Sequence, residues 1–293
     1  MRKMAALAII VLLASLSAIG CSSTESGMAE PSLPENIEKV DMSAFDLPLD
    51  QYLPDEAEAL QIRMARDAVM VNCVQGFGFT VPLPAYPRQS VGRGRHEGRY
   101  LLASVSRARK YGYKWPELTK ESDPNAPVLS AEIQAVVSGE GPSIISGKKV
   151  PGGGCLGAAN RRLKIDEAPG SDVDIMRRMD ARAYAAMKAD SRVLAATVRW
   201  SGCMEKAGYY YPNPGRANDD PAFNTTVASS GEIATAVADV LCKEEVGLIN
   251  LMAVAEIAYQ DREIESAKDR LREILDRKNE QIELARGLLS GLR

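Results

Sequence analysis

Three times along this chain, a stretch with helical apolar spacing runs into glycine, an aromatic, any residue, a large apolar or aromatic residue, and proline. The three segments are Gly78-Phe79-Thr80-Val81-Pro82, Gly112-Tyr113-Lys114-Trp115-Pro116 and Gly208-Tyr209-Tyr210-Tyr211-Pro212. The stripes before them are Leu60, Met64, Ala68, Val71, Val74; then Leu101, Val105, Ala108, Tyr111; then Val193, Ala196, Trp200, Met204, Ala207. This spacing predicts one buried face on each helix. The glycine supplies the left-handed residue that closes a helix, and the proline prevents its resumption. The aromatic between them is expected to fold back on the last turn. Cys73 and Cys203 each stand five residues before a module glycine, so two of the three helices carry a thiol near their ends.

The amino terminus reads as an address. Met1-Arg2-Lys3 is cationic, and Ala5 to Ile19 has no charge. Fifteen helical residues rise about 22 Å, short of the roughly 30 Å bilayer core, which is the pattern of an export signal over residues 1–20. It ends at Ala18-Ile19-Gly20-Cys21. That tetrapeptide resembles the lipobox of bacterial lipoproteins, which implies a diacylglyceryl group on Cys21 and cleavage before it. A plain secretory signal is the competing reading. Several acyl chains on one residue anchor stably where a single chain does not.

Residues 21–54 are expected to form a tether. Ser22 to Pro54 holds seven acidic residues against Lys39, a net charge of −6, with Pro31, Pro34, Pro48 and Pro54. Self-repulsion keeps such a segment extended. Its later part, with Val40, Phe45, Leu47, Leu49, Tyr52 and Leu53, is apolar enough to dock on the domain that follows from 55 to 293.

Export decides how the remaining cysteines are read. Besides Cys21 there are Cys73, Cys155, Cys203 and Cys242. Four cysteines in an exported chain usually pair, in one of three connectivities. Each cysteine-bearing module is followed by one further cysteine, so symmetry between two halves selects Cys73–Cys155 and Cys203–Cys242. On the chain-entropy model such loops give roughly 4–4.5 kcal/mol each.

The rest of the chain also reads as helical. Helices are predicted over Ser130 to Val137 with Ser130 as cap, Leu156 to Ile165 after a flexible Pro151-Gly-Gly-Gly loop, and Asp172 to Asp190. Gly215 to Ser229 reads as a polar loop. From Gly231 to Leu289, capped by Ser230, no proline occurs; unbroken, this helix would be about 90 Å long. Ile257, Ile264, Leu271, Leu275, Ile282 and Leu289 fall near a seven-residue repeat, interrupted by Lys268 and Lys278. Two readings stand: a coiled-coil seam for a partner, or a helix lying along its own domain.

Much chemistry is excluded. One histidine, His96, rules out multi-histidine metal sites. A net charge of −3, or −5 after loss of Arg2 and Lys3, argues against a nucleic-acid partner. Gly141 to Lys149 fails the phosphate-loop pattern, because Ser146 stands at the second glycine position. No G-x-S-x-G or H-E-x-x-H occurs. Arg93, Arg95, His96 and Arg99 read as a solvated basic loop, with contact to an anionic polymer such as teichoic acid or phospholipid as the competing reading. Glu256, within an apolar run, reads as a candidate buried carboxylate, against the favoured expectation that it faces water or pairs with an arginine such as Arg161 or Arg162. The aromatics Trp200, Tyr209, Tyr210 and Tyr211 read either as helix-end plugs or as a stacking surface for a sugar or flat ligand.

Cys73 through Pro82, Tyr111-Gly112-Tyr113, Gly153-Gly154-Cys155, Trp200 to Met204 with Gly208-Tyr209, Ala238-Asp239-Val240 and Cys242-Lys243 together carry a family likeness. Over most of residues 60–260 the chain resembles a group of exported lipoproteins of actinobacteria to which no activity is assigned. The resemblance implies lipidation and paired cysteines, and no reaction. The expectation is an all-α, disulfide-stapled domain ending in a long, partly amphipathic helix, held by its lipid on the outer face of the cytoplasmic membrane. Its expected role is non-enzymatic binding or scaffolding of an envelope protein or cell-wall polymer, without cofactor or metal. The alternative is a small-ligand or glycan binder using the four aromatics. A hydrolase relying on carboxylates such as Glu256 ranks last.

Overall fold

The computed structural model describes residues 29–83, 86, 95–115, 129–166, 168 and 170–291. The export signal, Cys21, Arg93 and Pro116 lie outside them. The described residues form an all-α fold of ten helices: α1 Glu56–Gly76, α2 Val105–Tyr111, α3 Ala131–Ser138, α4 Gly154–Arg162, α5 Asp172–Ala189, α6 Ser191–Lys206, α7 Pro214–Asn218, α8 Ser230–Val246, α9 Leu248–Ser266 and α10 Lys268–Ser290. A two-residue hairpin, β1 Ile144–Ile145 and β2 Lys148–Lys149, occupies the failed phosphate loop. None of these helices is long and apolar enough to cross a membrane.

Local chemistry sets the helix ends. Asp55 and Glu58 form a reciprocal capping box on α1, each side chain accepting from the other's backbone N–H. Ser130 caps α3 through the Ile133 N–H. All three module glycines have positive φ: 87° at Gly78, 58° at Gly112 and 89° at Gly208. The aromatics behind them return to the body. Tyr113 is buried in the largest core, Tyr209 packs against that core, and Phe79 packs against a second one.

The long carboxy-terminal segment is three helices. Gly247 takes φ 66° between α8 and α9, and Ala267 departs from helical geometry between α9 and α10. The cap of α8 is Ser229, one residue before the expected Ser230. The breaks let one segment wrap the body: α8 lies on α2 and α6, α9 on α5 and α6, and α10 on α1. The heptad positions of α10 are filled from within. Leu271 and Ile274 pack with Leu49, Met176 and Met179; Ile282 and Ala285 pack with Ile62, Ala65 and Leu163. Lys278, at a seam position, donates to the Gln51 carbonyl at 2.8 Å. Gly215 to Ser229 is not wholly loop, since α7 and a short 3₁₀ turn at Pro221–Phe223 lie at its start.

Both disulfides follow the symmetric pairing, Cys73–Cys155 and Cys203–Cys242, each with Cα atoms 5.6 Å apart. They fit an oxidising, extracytoplasmic setting. The first sits in the core shared by α1, α3 and α4; the second joins α6 to α8 beside the main core.

The Pro151-Gly-Gly-Gly segment is a close-packing device and not a flexible loop. Gly154, at φ 66°, opens α4 against the end of α3; a β-carbon there would lie 2.2 Å from the Val137 carbonyl oxygen and 2.5 Å from the Gly139 nitrogen. Gly152 has open space. Gly154→Ala is therefore expected to cost at least about 3 kcal/mol in chemical denaturation, from clash plus left-handed strain, while Gly152→Ala stays within about 1 kcal/mol.

The acidic amino-terminal segment lies on the body from residue 29 onward. Met42, Phe45 and Leu47 enter the main core, and Leu49 enters the core beneath α10. The Val40 N–H donates to Asn250 Oδ1 at 3.0 Å, and the Leu49 N–H to Gln260 Oε1 at 2.9 Å. Glu30 accepts from the Ser191 N–H at 2.6 Å and from its hydroxyl at 2.9 Å, at the start of α6. Arg262 donates to the carbonyls of Ala29 and Glu30. The packed body thus begins well before residue 55.

Candidate functional site: a cleft above a buried ion pair

Three stretches far apart in sequence enclose a cleft of about 750 Å³. Residues 39–43 make one wall. Residues 102–107 with Trp115 make the second, and the facing ends of α8 and α9 make the third. The second wall is shaped by local rules. Ser104 caps α2 by accepting from the Arg107 N–H at 3.3 Å, and Leu101 before it takes φ 66°, the left-handed region. That turn separates Tyr100, whose hydroxyl donates to Glu256, from Leu102, whose carbonyl faces α8. The Arg107 guanidinium lies 3.2 Å from the Trp115 ring centroid and donates to the Lys114 carbonyl at 2.9 Å.

The lining is amphiphilic and of mixed charge. Val40, Met42, Leu102, Val105, Val240 and Ile249 supply the apolar part; Lys39 and Arg107 stand against Asp41, Glu97 and Glu244 around it. Beneath runs a dry polar network. Lys243 is 1 % exposed and donates to the Leu102 carbonyl at 2.9 Å and to Asp239 Oδ2 at 2.8 Å. Asp239 Oδ1 accepts from Trp200 Nε1 at 3.0 Å. Glu232, fully buried, accepts from the Tyr113 N–H at 3.0 Å and lies 3.3 Å from the Lys114 ammonium. Burial outweighs the attraction within the Asp239–Lys243 pair, pushing the carboxyl above its ordinary range and the ammonium below its own. Burial, with Asp239 nearby, also raises the Tyr113 phenol.

A second polar cluster corrects the reading of the basic loop. Arg95 and His96 both reach Asp50, at 3.2 and 2.7 Å, and Arg99 lies against Asp180 at 2.7 Å and Glu256. His96 and Arg99 are tied to carboxylates and largely withdrawn from solvent, while Arg95, also paired, stays exposed. Glu256 is fully buried and takes Arg99 and the Tyr100 hydroxyl as partners, whereas Arg161 bonds the Gly152 carbonyl. Asp50 would be raised by its burial, but the His96 hydrogen bond and the Leu47 N–H hold it below the usual carboxylate value. A pocket of about 220 Å³ lies beside this cluster.

The proposed stacking aromatics do not come together. Trp200 is wholly buried and spends its N–H on Asp239. Tyr211 is half-buried with its hydroxyl on Asp220 at 2.6 Å, its phenol pushed up to about 12 by burial and that bond. Tyr209 packs on the main core, and Tyr210 alone is well exposed, at 77 %. The aromatic that lines a cavity is Trp115, from the middle module, the one module without a cysteine. Its place before a module proline was the available signal. Lys39, Asp41, Glu97, Arg107, Glu244 and Asn250 had none. Among the described residues no cluster of three or more His, Cys, Asp or Glu side chains is placed to hold a metal ion. No protein-family model, curated protein or solved structure matches the chain.

Proposed function

We propose that the protein is a non-enzymatic, lipid-anchored binding protein of the cell envelope, acylated at Cys21 on the outer face of the cytoplasmic membrane. Its ligand is a small cell-wall fragment combining sugar hydroxyls with charged peptide groups. The observation that carries this reading is the cleft itself. Its volume lies in the range of small-molecule sites, and its apolar base is rimmed by both signs of charge. Ser43, Ser106 and Asn250 suit hydroxyls and amides. Lys39 and Arg107 suit carboxylates, and Asp41, Glu97 and Glu244 suit amines. The dry network under the floor fixes the walls in advance, which lowers the ordering cost of binding. A scaffolding role loses its main support, because the amphipathic face of α10 is spent on α1 and α5.

Thermal-shift and calorimetric titration with muropeptide fragments test the reading. A fragment that raises the melting temperature in wild type, but about ten-fold more weakly in Trp115→Ala or Glu244→Lys, supports it. No shift with charged or neutral fragments at millimolar concentration removes the cleft from consideration.

A further inference from the structure

The body is clamped to its leader at one place. Glu30 holds Ser191 at the start of α6, and Arg262 holds the carbonyls of Ala29 and Glu30. Ser191, Leu194 and Val198 follow the i, i+3, i+7 spacing of one helical stripe, so the chain reaches the body on the same face of α6 that carries Leu194 and Val198. Those two residues are 52 % and 70 % exposed, among the most exposed large apolar side chains described. Exposed Ala195 lies between them, and exposed Lys188 and Arg199 flank them. Of the nearby acids, Asp190 is buried and ion-paired with Arg192 at 2.6 Å, Glu30 is spent on Ser191, and exposed Glu205 lies seven residues beyond Val198 at the far end of the stripe. Cys21 is eight residues before Ala29, and eight residues span at most about 28 Å. An acylated Cys21 therefore keeps Ala29 within that distance of the bilayer, and Val198 lies a further seven residues, about 10 Å, along α6 from the clamp at Ser191.

We propose that the Leu194–Val198 face of α6 rests on the bilayer to which the leader is attached, its two apolar side chains in the headgroup region and Lys188 and Arg199 toward lipid phosphates. Exposed apolar side chains with cations beside them adsorb to such interfaces, and the short leader delivers this face toward the membrane. The proposal rests on the acylation of Cys21. It adds an orientation. Asn250, at the cleft, and Arg262, at the clamp, are twelve residues apart on α9, about 18 Å along the helix. The cleft thus opens at the end of α9 away from the clamp.

The test uses the full acylated chain with Ala195→Cys, labelled by bimane while the four other cysteines remain in disulfides. It is reconstituted in vesicles of phosphatidylglycerol and phosphatidylcholine containing brominated lipid. The expected result is an approximately two-fold loss of fluorescence. That loss should disappear in Leu194→Glu/Val198→Glu, although this variant still floats with the vesicles through its lipid. Unquenched fluorescence in a vesicle-bound wild-type chain overturns the α6 proposal and leaves acylation standing. Quenching that depends on protein density and persists without brominated lipid identifies a second copy as the occupant and likewise overturns it. An intact mass lacking acyl groups overturns the anchor reading, and the α6 proposal falls with it.

Discussion

Lys243→Met is expected to destabilise the protein by about 3–5 kcal/mol, the cost of leaving one member of a buried ion pair without its partner. The variant keeps the volume and stem of the side chain, so the loss comes from Asp239, which is left fully buried without a cationic partner. The pH dependence identifies the cause. Burial already raises the Asp239 carboxyl above its ordinary range, and losing the ammonium raises it further. A group with a raised folded-state pKa contributes stability below its unfolded pKa and loses it as pH rises through the folded value. The penalty of Lys243→Met is thus largest at neutral pH and shrinks toward pH 4. A companion variant, Lys243→Met/Asp239→Asn, should recover most of the loss at pH 7, since no charge is then left dry. Urea midpoints at pH 4 and pH 7 measure both effects. A penalty independent of pH would assign the loss to packing alone.

The second large effect is expected from Cys73→Ala/Cys155→Ala. The bond closes a sequence separation of 82 residues, for which the chain-entropy model gives about 4.5 kcal/mol as an upper figure. Cys203→Ala/Cys242→Ala closes 39, for which the same model gives about 4 kcal/mol. The first pair should cost more for a further reason. Cys155 is wholly buried in a small core with Val71, Val74, Val136 and Val150, so its removal also opens a cavity. Without the bond, the unit of α1, α3 and α4 is held by this small core and by the packing of α10 on α1. Limited proteolysis of the first variant should release fragments from residues 129–166 before any cleavage in α8 or α9. Uniform cleavage throughout would show that the two cores melt as one.

The parts of this fold that were legible are those governed by neighbours in sequence. Gly78, Gly112 and Gly208 end helices because a left-handed residue followed by proline has few other uses, and the cysteine pairing followed from the repetition of that unit. Gly247 breaks a helix by the same device, but without a proline or aromatic behind it nothing distinguished it from a glycine tolerated inside a helix. Ser229 and Ser230 are equivalent as caps on sequence grounds, and only the register of α8 on α6 separates them. The cleft was not legible. Its walls come from residues 39–43, 97–115 and 240–250, and no local pattern links an acidic leader to a helix end two hundred residues later. The partner of Glu256 was hidden for the same reason, since Arg99 is 157 residues away in a stretch whose composition reads as solvent-exposed.

The order of attachments along the leader has a mechanical consequence. From the amino-terminal side, the chain first meets Arg262 and Ser191 at residues 29–30, and only ten residues later does Val40 latch to Asn250 beside the cleft. The two fastenings are in series. Under the proposed acylation of Cys21, tension from the membrane would be borne by the charged clamp at Glu30, while the single hydrogen bond from the Val40 N–H to Asn250 would carry no load until that clamp failed. On the proposed anchoring and ligand binding, the recess would be insulated from its point of attachment, and an occupant would not be shaken loose by motion of the lipid.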